Sequence, residues 1–483
     1  MTEYGITGYG AYVPRLRLER AAIAAAHKWM APNLRGLAKG ERAFCSWDED
    51  SITMAVEAAR DALGTDSREG IGALTLASTT LPYADLQNSV IAIGALALGH
   101  LVSGTDVAGS QRAGLSGLAR AMEMSGSNQL MLAADRPRAK PAGTLEMAYG
   151  AGAAAFRLGS EGVIARKIGS ATIAEQFIDH FRSADHDHDY FWEERWIRDE
   201  GYAKIIPRVV SAALDQAGIA AGDLSTLVMA SPLKGSAEMI ARKIGFDGKV
   251  SDSLNDDVGY AGTAHPLLML ASELEQAKPG DRILVIAFGQ GAEALILEVT
   301  DAIADFKPQR GFSGAVADKV STTDYLRMLS FYGELDAEWG MRSEKTGKAA
   351  LTNLYREADQ LSAFVAGKCG SCGTVQFPQL AYCVNPECKA PAAGFTQVSL
   401  SDEPAKVLTF TPDWLSYYPS PPLYVGFVQF DIGARLLMEI VDVGPDGLDE
   451  GTPLRMAYRI KEPDTQRGFN RYFWKATPVA TGA

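Results

Sequence analysis

Basic residues are in short supply in this chain of 483 amino acids: 46 lysines and arginines face 59 aspartates and glutamates, for a formal net charge of −13. A surface that grips nucleic acid must neutralise phosphates, so this deficit argues against a nucleic-acid partner. Long apolar runs are also missing. No stretch approaches the roughly eighteen residues that begin to suggest a membrane span, and no membrane partner is expected. The opening Met1-Thr2-Glu3-Tyr4-Gly5 has no basic segment leading into an apolar one. No secretory signal is read there, and the cytoplasm is the expected location. Cysteine is scarce and unevenly placed: Cys45 stands alone, and the other four, Cys369, Cys372, Cys383 and Cys388, crowd together near the C-terminus. In a reducing compartment such a cluster reads as a metal site rather than a disulfide framework.

Apolar residues make up 47% and charged residues 22% of the chain, the composition of a soluble globular enzyme. The length calls for two or three domains. Through the first 300 residues strand and helix signals alternate. An Ala-rich amphipathic helix over Val56–Leu63 precedes a short apolar strand over Ala73–Ala77, helical spacing follows over Ala113–Met124, and Leu130–Ala134 is a second buried strand. The pattern then recurs. Val56 to Gly64 is echoed by Val210 to Gly218, Leu74 to Ser78 by Leu227 to Ser231, and Leu130 to Ala134 by Leu284 to Phe288, each about 154 positions further on. The turn Gly150-Ala151-Gly152-Ala153 before a strand is answered by Gly289-Gln290-Gly291-Ala292. A duplicated α/β unit explains this economy, with repeats over about 1–160 and 161–300.

Residues 301–364 are mixed, charged and helix-leaning, without Gly/Ser or Pro tracts, and are expected to form a helical connector. Residues 365–395 hold the pattern Cys-x2-Cys-x10-Cys-x4-Cys, in which each close pair can sit on a turn and present two thiolates to one ion. Four protein ligands leave no open position for water, so the expected zinc is structural. Beyond them, over 396–483, short β-type runs at Val407–Phe410, Tyr424–Phe430, Arg435–Val441 and Leu454–Ile460, bounded by Pro, Gly and Asp, suit a small antiparallel barrel.

Several stretches resemble the hydroxymethylglutaryl-CoA synthase branch of the thiolase superfamily. They are the opening Gly5-Ile6-Thr7-Gly8-Tyr9-Gly10-Ala11-Tyr12-Val13-Pro14-Arg15, the acidic helix start Trp47 to Ala55, the run Ala277 to Leu284 and the turn Phe288 to Ala292. The resemblance covers residues 4–300, the duplicated region. It implies a layered α-β-α-β-α core, an acyl-CoA thioester as substrate and a homodimer. The tail, through Cys369-Gly370-Ser371-Cys372-Gly373-Thr374-Val375-Gln376-Phe377-Pro378, resembles the DUF35 modules, a rubredoxin-like zinc ribbon followed by an OB-fold. From Gly367 onward ten bases face twelve acids, so this OB-fold lacks the basic groove that single-stranded nucleic acid requires.

Thiolase chemistry carries an acyl group on a cysteine thiolate, with a histidine and often an asparagine to move protons and hold the thioester oxyanion. At the positions the resemblance implies, this chain has Gln111 for the cysteine, Ala230 for the histidine and Tyr260 for the asparagine. Gln111 cannot form a thioester. The residues expected to form the altered site are Tyr260, His265, Gln111, Ser110 and Asp257. His265 is the expected acid/base group, Tyr260 a donor to a developing enolate, and the Gln111 amide a donor to the thioester oxygen. Cys45 is read as buried, His186 and His188 as a solvated loop, and Arg112, Lys234 and Arg242 as cations with no assigned role. The expected function is making or breaking a carbon–carbon bond α to a CoA thioester without a covalent acyl-cysteine, by retro-aldol, retro-Claisen or decarboxylation. The alternatives are a catalytically silent acyl-CoA-binding scaffold and a direct acyltransferase.

Overall fold

A computed structural model describes residues 4–124, 126–344, 348 and 350–479. The chain forms two compact units. The first takes in Met1–Ser46, Asp50–Val90 and His100–Leu329; the second takes in Trp47–Glu49, Ile91–Gly99 and Ser330–Ala483.

Ten strands make the sheet of the first unit: β1 (Gly5–Tyr12), β2 (Ile71–Ala77), β3 (Ser103–Val107), β4 (Asn128–Asp135), β5 (Gly152–Gly159), β6 (Ala165–Ala174), β7 (Thr226–Met229), β8 (Lys249–Val250), β9 (Arg282–Phe288) and β10 (Gly291–Val299). Their spatial order, β8-β7-β9-β10-β6-β1-β5-β4-β2-β3, reads the same from both ends once the repeats are matched. Each half has parallel pairs at its outer side and antiparallel pairs toward the middle. The halves join where β1 meets β6 through only two residue pairs, Gly5 with Arg166 and Ile6 with Ala165. This mirrored order is the structural signature of the duplication read from the 154-residue echo.

Helix α1 (Ser51–Leu63) starts in a capping box, with Asp50 Oδ1 accepting from Thr53 N at 2.9 Å and Thr53 Oγ1 accepting from Asp50 N at 2.8 Å. It packs on β1, β5 and β4. Its counterpart α3 (Ala203–Ala217) ends at Gly218, whose φ of +66° makes the left-handed cap, and packs on β6 and β10. Between the halves lie α2 (Ala113–Ala121) and α4 (His265–Leu274), each touching strands of both halves. The layers therefore run α-β-α-β-α. The middle helices have few polar side chains and are buried over most of their length because sheet covers them on two sides.

Residues 301–329 stay with the first unit, where Val320–Thr322 pairs in parallel with Leu16–Leu18. From Ser330 the chain belongs to the second unit. There, Val365–Cys369 pairs with both Val375–Gln376 and Phe395–Ser399 in a three-stranded ribbon. Five further strands close the barrel of the OB-fold: Ala405–Asp413, Leu423–Phe430, Arg435–Ile440, Pro453–Asp464 and Phe469–Pro478. Its interior alternates along the strands through Val428 and Phe430, Leu436, Met438 and Ile440, and Met456 and Tyr458, with Trp474 opposite. Two buried cations are each held by two acids within this unit. Lys475 lies 2.9 Å from Asp48 and 3.1 Å from Glu439, and Arg459 lies 3.2 Å from Glu49 and 3.0 Å from Asp442.

Candidate active site

The starts of the two central helices meet at Gln111 and Tyr260. Strand β3 delivers the chain to Gly109, whose φ of +87° turns it sharply, and Gln111 follows at the mouth of α2. Tyr260 precedes the short turn Gly262–Ala264 that leads into α4. The two segments approach so closely that a Cβ on Gly114 would lie 2.3 Å from the Thr263 carbonyl oxygen. Only glycine fits there.

Tyr260 is aligned by backbone. Its N–H donates to the Ala148 carbonyl at 2.8 Å, and its own carbonyl accepts from Gly150 N at 3.0 Å. A side chain at Gly150 would collide with the Val258 carbonyl oxygen, 2.0 Å from a Cβ. This bridge stacks the rings of Tyr149 and Tyr260, 6.3 Å between centroids and 29° between planes. The Tyr260 hydroxyl then donates to Gln111 Oε1 at 2.9 Å, in a buried contact. The Tyr149 hydroxyl donates to Asp189 Oδ2 at 2.9 Å. Burial pushes both phenols well above their usual range, and the nearby acids push the same way: Asp189 at Tyr149, and Asp179, Asp135 and Asp189 at Tyr260, where Tyr202 adds to them. The Gln111 amide acts in the opposite direction on Tyr149, as a donor to its oxygen does. Both phenols stay protonated.

His265 is fully buried. Its Nδ1 accepts from Ala261 N at 3.2 Å and its Nε2 faces the Ser253 carbonyl at 2.8 Å, so the partners fix the tautomer with the proton on Nε2. Burial lowers its pKa to about 4. The imidazole lies 5.1 Å from the Tyr260 ring. With both nitrogens tied to backbone it supports Tyr260 and has no ring nitrogen to spare for proton transfer. Ser110 is likewise engaged by its neighbours. Its Oγ donates to the Gly289 carbonyl at 3.2 Å, and its carbonyl accepts from Thr263 Oγ1 at 3.4 Å. Arg112 donates to the same Gly289 carbonyl at 2.9 Å and pairs with Glu293 at 3.0 Å. Asp257 is exposed, bordering a surface cavity with Ser231, Lys234 and Asn255. Cys45 is fully buried, its Sγ 3.7 Å from Met54 Sδ.

Four titratable groups lie near Gln111 and Tyr260; Asp135, Asp179 and His180 carry no motif in the sequence, and Asp189 ends the alternating run Asp185-His186-Asp187-His188-Asp189. Asp135 is fully buried and accepts from Ser78 Oγ, Thr79 N and Oγ1, Thr80 Oγ1 and Thr263 N, all at 2.7–2.9 Å. It ties the end of β2 to the approach of α4. Asp179, His180 and Asp189 lie on a small hairpin in which His180 pairs with Phe191. His186 and His188 sit on the loop of the same hairpin, and His186 is exposed. A cavity of about 220 Å³ opens beside these elements, with Ala148, Phe191 and Leu233 on its wall and Arg20, Lys39, Arg198 and Lys234 among its cations.

In the second unit the four cysteine sulfurs lie within 4.8 Å of one another. Cys369 and Cys388 are 3.8 Å apart, and Cys372 and Cys383 are 3.6 Å apart. A tetrahedron with zinc–sulfur arms of about 2.3 Å has edges of about 3.8 Å, so the four thiols fit one zinc. Cys369 and Cys372 share a knuckle in which Gly373 N donates to the Cys369 carbonyl at 2.9 Å with a φ of +78° at Gly373. The second knuckle is closed by Cys388 N on Asn385 O at 3.0 Å.

Residues 214–299 match the family described as 3-oxoacyl-[acyl-carrier-protein (ACP)] synthase III C terminal, and residues 356–392 match ChsH2, rubredoxin-like zinc ribbon domain. The hydroxymethylglutaryl-CoA synthase of Aeropyrum pernix is 33% identical over 315 residues, covering 63% of this chain and 87% of that protein. The enzyme of the same name from Caldivirga maquilingensis is 32% identical over 340 residues, covering 68% and 97%. Among solved structures, an HMG-CoA synthase complexed with CoA is similar with a TM-score of 0.59 at 15% identity, over 72% of this chain and 94% of that one.

Proposed function

This chain belongs to the hydroxymethylglutaryl-CoA synthase family, and from that premise we propose that it makes or breaks a carbon–carbon bond α to a CoA thioester without mounting the acyl group on a cysteine. The observation that carries the reading is the buried hydrogen bond from Tyr260 to Gln111. An enolate forming on a thioester places negative charge on one oxygen, and fixed neutral donors in a dry site stabilise that charge most effectively. Gln111 has its oxygen engaged by Tyr260 and one amide hydrogen directed at Tyr149, which leaves the other amide hydrogen for a further acceptor. The phenol that holds it is kept neutral by burial. Gln111 and Tyr260 are the proposed site residues; Ser110 and His265 position them. The cations Arg20, Lys39, Arg198 and Lys234 beside the neighbouring cavity suit the phosphates of a CoA-type thioester.

The test is incubation with a panel of β-hydroxyacyl- and β-ketoacyl-CoAs, following released thioesters by mass spectrometry. Products that lose two or more carbons without any acyl adduct on the protein support the proposal. Binding of CoA thioesters with no turnover across the panel replaces it with a silent acyl-CoA-binding protein.

A further inference from the structure

We propose that His180, held by Asp179, is the acid/base residue of this site, and that the substrate class is a β-hydroxyacyl thioester cleaved in the retro-aldol direction. The inference rests on the proposed carbon–carbon chemistry and adds to it a base and a substrate.

His180 Nδ1 lies 3.0 Å from Asp179 Oδ2, with the carboxylate almost fully buried and the imidazole slightly exposed. The contact is an ion pair outside hydrogen-bond geometry, and the charge of the carboxylate favours the protonated imidazole. Asp179 is itself held. Its carbonyl accepts from Trp192 N at 2.8 Å, and its Oδ1 lies 3.5 Å from Gln290 Nε2. Gln290 has a φ of +45°, a left-handed backbone that is uncommon for glutamine and is retained here in the turn whose Gly289 carbonyl receives Ser110 and Arg112 beside Gln111. The dyad is thus joined through one turn to the mouth of α2.

The same hairpin reaches the tyrosines. Asp189 accepts from Tyr149 at 2.9 Å and pairs with Arg182 at 2.6 Å, and Arg182 also donates to the Thr79 carbonyl. The charged groups acting on His180 are Asp179, Asp189 and Arg182. Burial alone would lower its pKa, but the two carboxylates outweigh burial and Arg182, and the net shift is upward. His180 pairs across the hairpin with Phe191, which lines the 220 Å³ cavity together with Ala148, the neighbour of Tyr149.

The step balances without a second reactant. Neutral His180 takes the proton from the β-hydroxyl, the Cα–Cβ bond breaks, and its electron pair passes to the thioester oxygen within reach of the Gln111 amide. The β-carbon leaves as an aldehyde or ketone. The imidazolium returns its proton to Cα, releasing the shortened acyl thioester. Decarboxylation would not need this base, and retro-Claisen cleavage would need a thiol as co-reactant.

The test compares wild type, His180→Gln and Asp179→Asn on a β-hydroxyacyl-CoA panel. Release of aldehyde or ketone is followed across pH, with CoA-thioester binding and thermal unfolding measured alongside. In the wild type kcat/KM is expected to rise with pH through a pKa above 6.5, as the base becomes neutral. H180Q is expected to lose about 10²-fold or more in turnover while still folding and binding. D179N is expected to move the rising limb to lower pH. If H180Q turns over within about threefold of wild type with the same pH limb, His180 is not the base, although the carbon–carbon chemistry stands. If wild type cleaves only β-ketoacyl-CoAs, the substrate assignment is overturned. If wild type cleaves nothing and incorporates no solvent deuterium at Cα, both this inference and the reading beneath it fall.

Discussion

The hydroxyl of Tyr260, from the second repeat, donates to the side-chain carbonyl of Gln111, from the first, across 2.9 Å of buried space. One bond thus joins the starts of both central helices. Tyr260→Phe removes the donor and leaves Gln111 Oε1 unsatisfied. The expected cost is about 1–3 kcal/mol of unfolding free energy, because a buried acceptor loses its partner. Turnover is expected to fall by about 10²-fold if the pair holds the enolate oxygen. Denaturant melts and steady-state rates separate the two effects. A variant that loses stability but keeps its rate would leave the tyrosine a purely structural role.

Zinc binding follows from the sulfur geometry. One equivalent per chain is expected from metal analysis of freshly purified protein. Cys372→Ser, or prolonged chelation, should expose residues 365–395 to protease, since so small a ribbon has little apolar core and depends on its metal to fold. A zinc-free preparation with an intact ribbon would contradict this.

Much of this architecture was legible in the sequence because it depends on repetition and spacing. The 154-residue echo announced a duplicated α/β core, and the cysteine spacing announced a four-thiolate metal site. Four of the five barrel strands stood out as apolar runs. The fifth, Phe469–Pro478, is broken by Arg471 and Lys475, and its character emerges only once Lys475 is seen buried between Asp48 and Glu439. The site was half legible. Gln111 and Tyr260 were found by position, and they meet. His265 stood out as a histidine at a helix start, but sequence does not reveal that backbone groups occupy both its nitrogens. His180 was overshadowed by His186 and His188, a few residues further on, because burial and partners, not spacing, set it apart.

The ten-stranded sheet ends on one side at β3, a partly exposed edge strand, and Leu101 beside it is 99% exposed with Val90 half exposed nearby. An uncovered edge flanked by apolar side chains favours strand pairing with a second copy. The protein is expected to be a homodimer by light scattering at micromolar concentration, and Leu101→Asp to shift it toward monomer. A wild-type monomer under those conditions would count against the pairing.

Cys45 is the one cysteine outside the zinc ribbon, and it is fully buried. No acyl group is therefore expected to remain on the protein after incubation with acyl-CoA and denaturation. Intact-mass spectrometry checks this directly. A stoichiometric adduct would restore covalent catalysis and overturn the reading of Gln111.

His265 makes a prediction about stability and pH. Its folded pKa is about 4, against 6.5 for the ordinary side chain, because burial penalises the imidazolium. The unfolded chain therefore binds a proton between those values that the native state refuses. The histidine's contribution is fully present above pH 6.5 and is lost as pH falls toward 4. At about 1.4 kcal/mol per pH unit the loss amounts to about 3 kcal/mol. His265→Asn removes the titration while keeping one donor and one acceptor for the Ala261 N–H and the Ser253 carbonyl. The variant is expected to be less stable than wild type at pH 7.5, since the smaller amide reaches its partners less well. The gap should narrow by about 3 kcal/mol when the denaturant melts are repeated near pH 4.5. A gap that stays constant would mean that His265 is protonated in the native state, and the neutral tautomer assigned to it would be wrong.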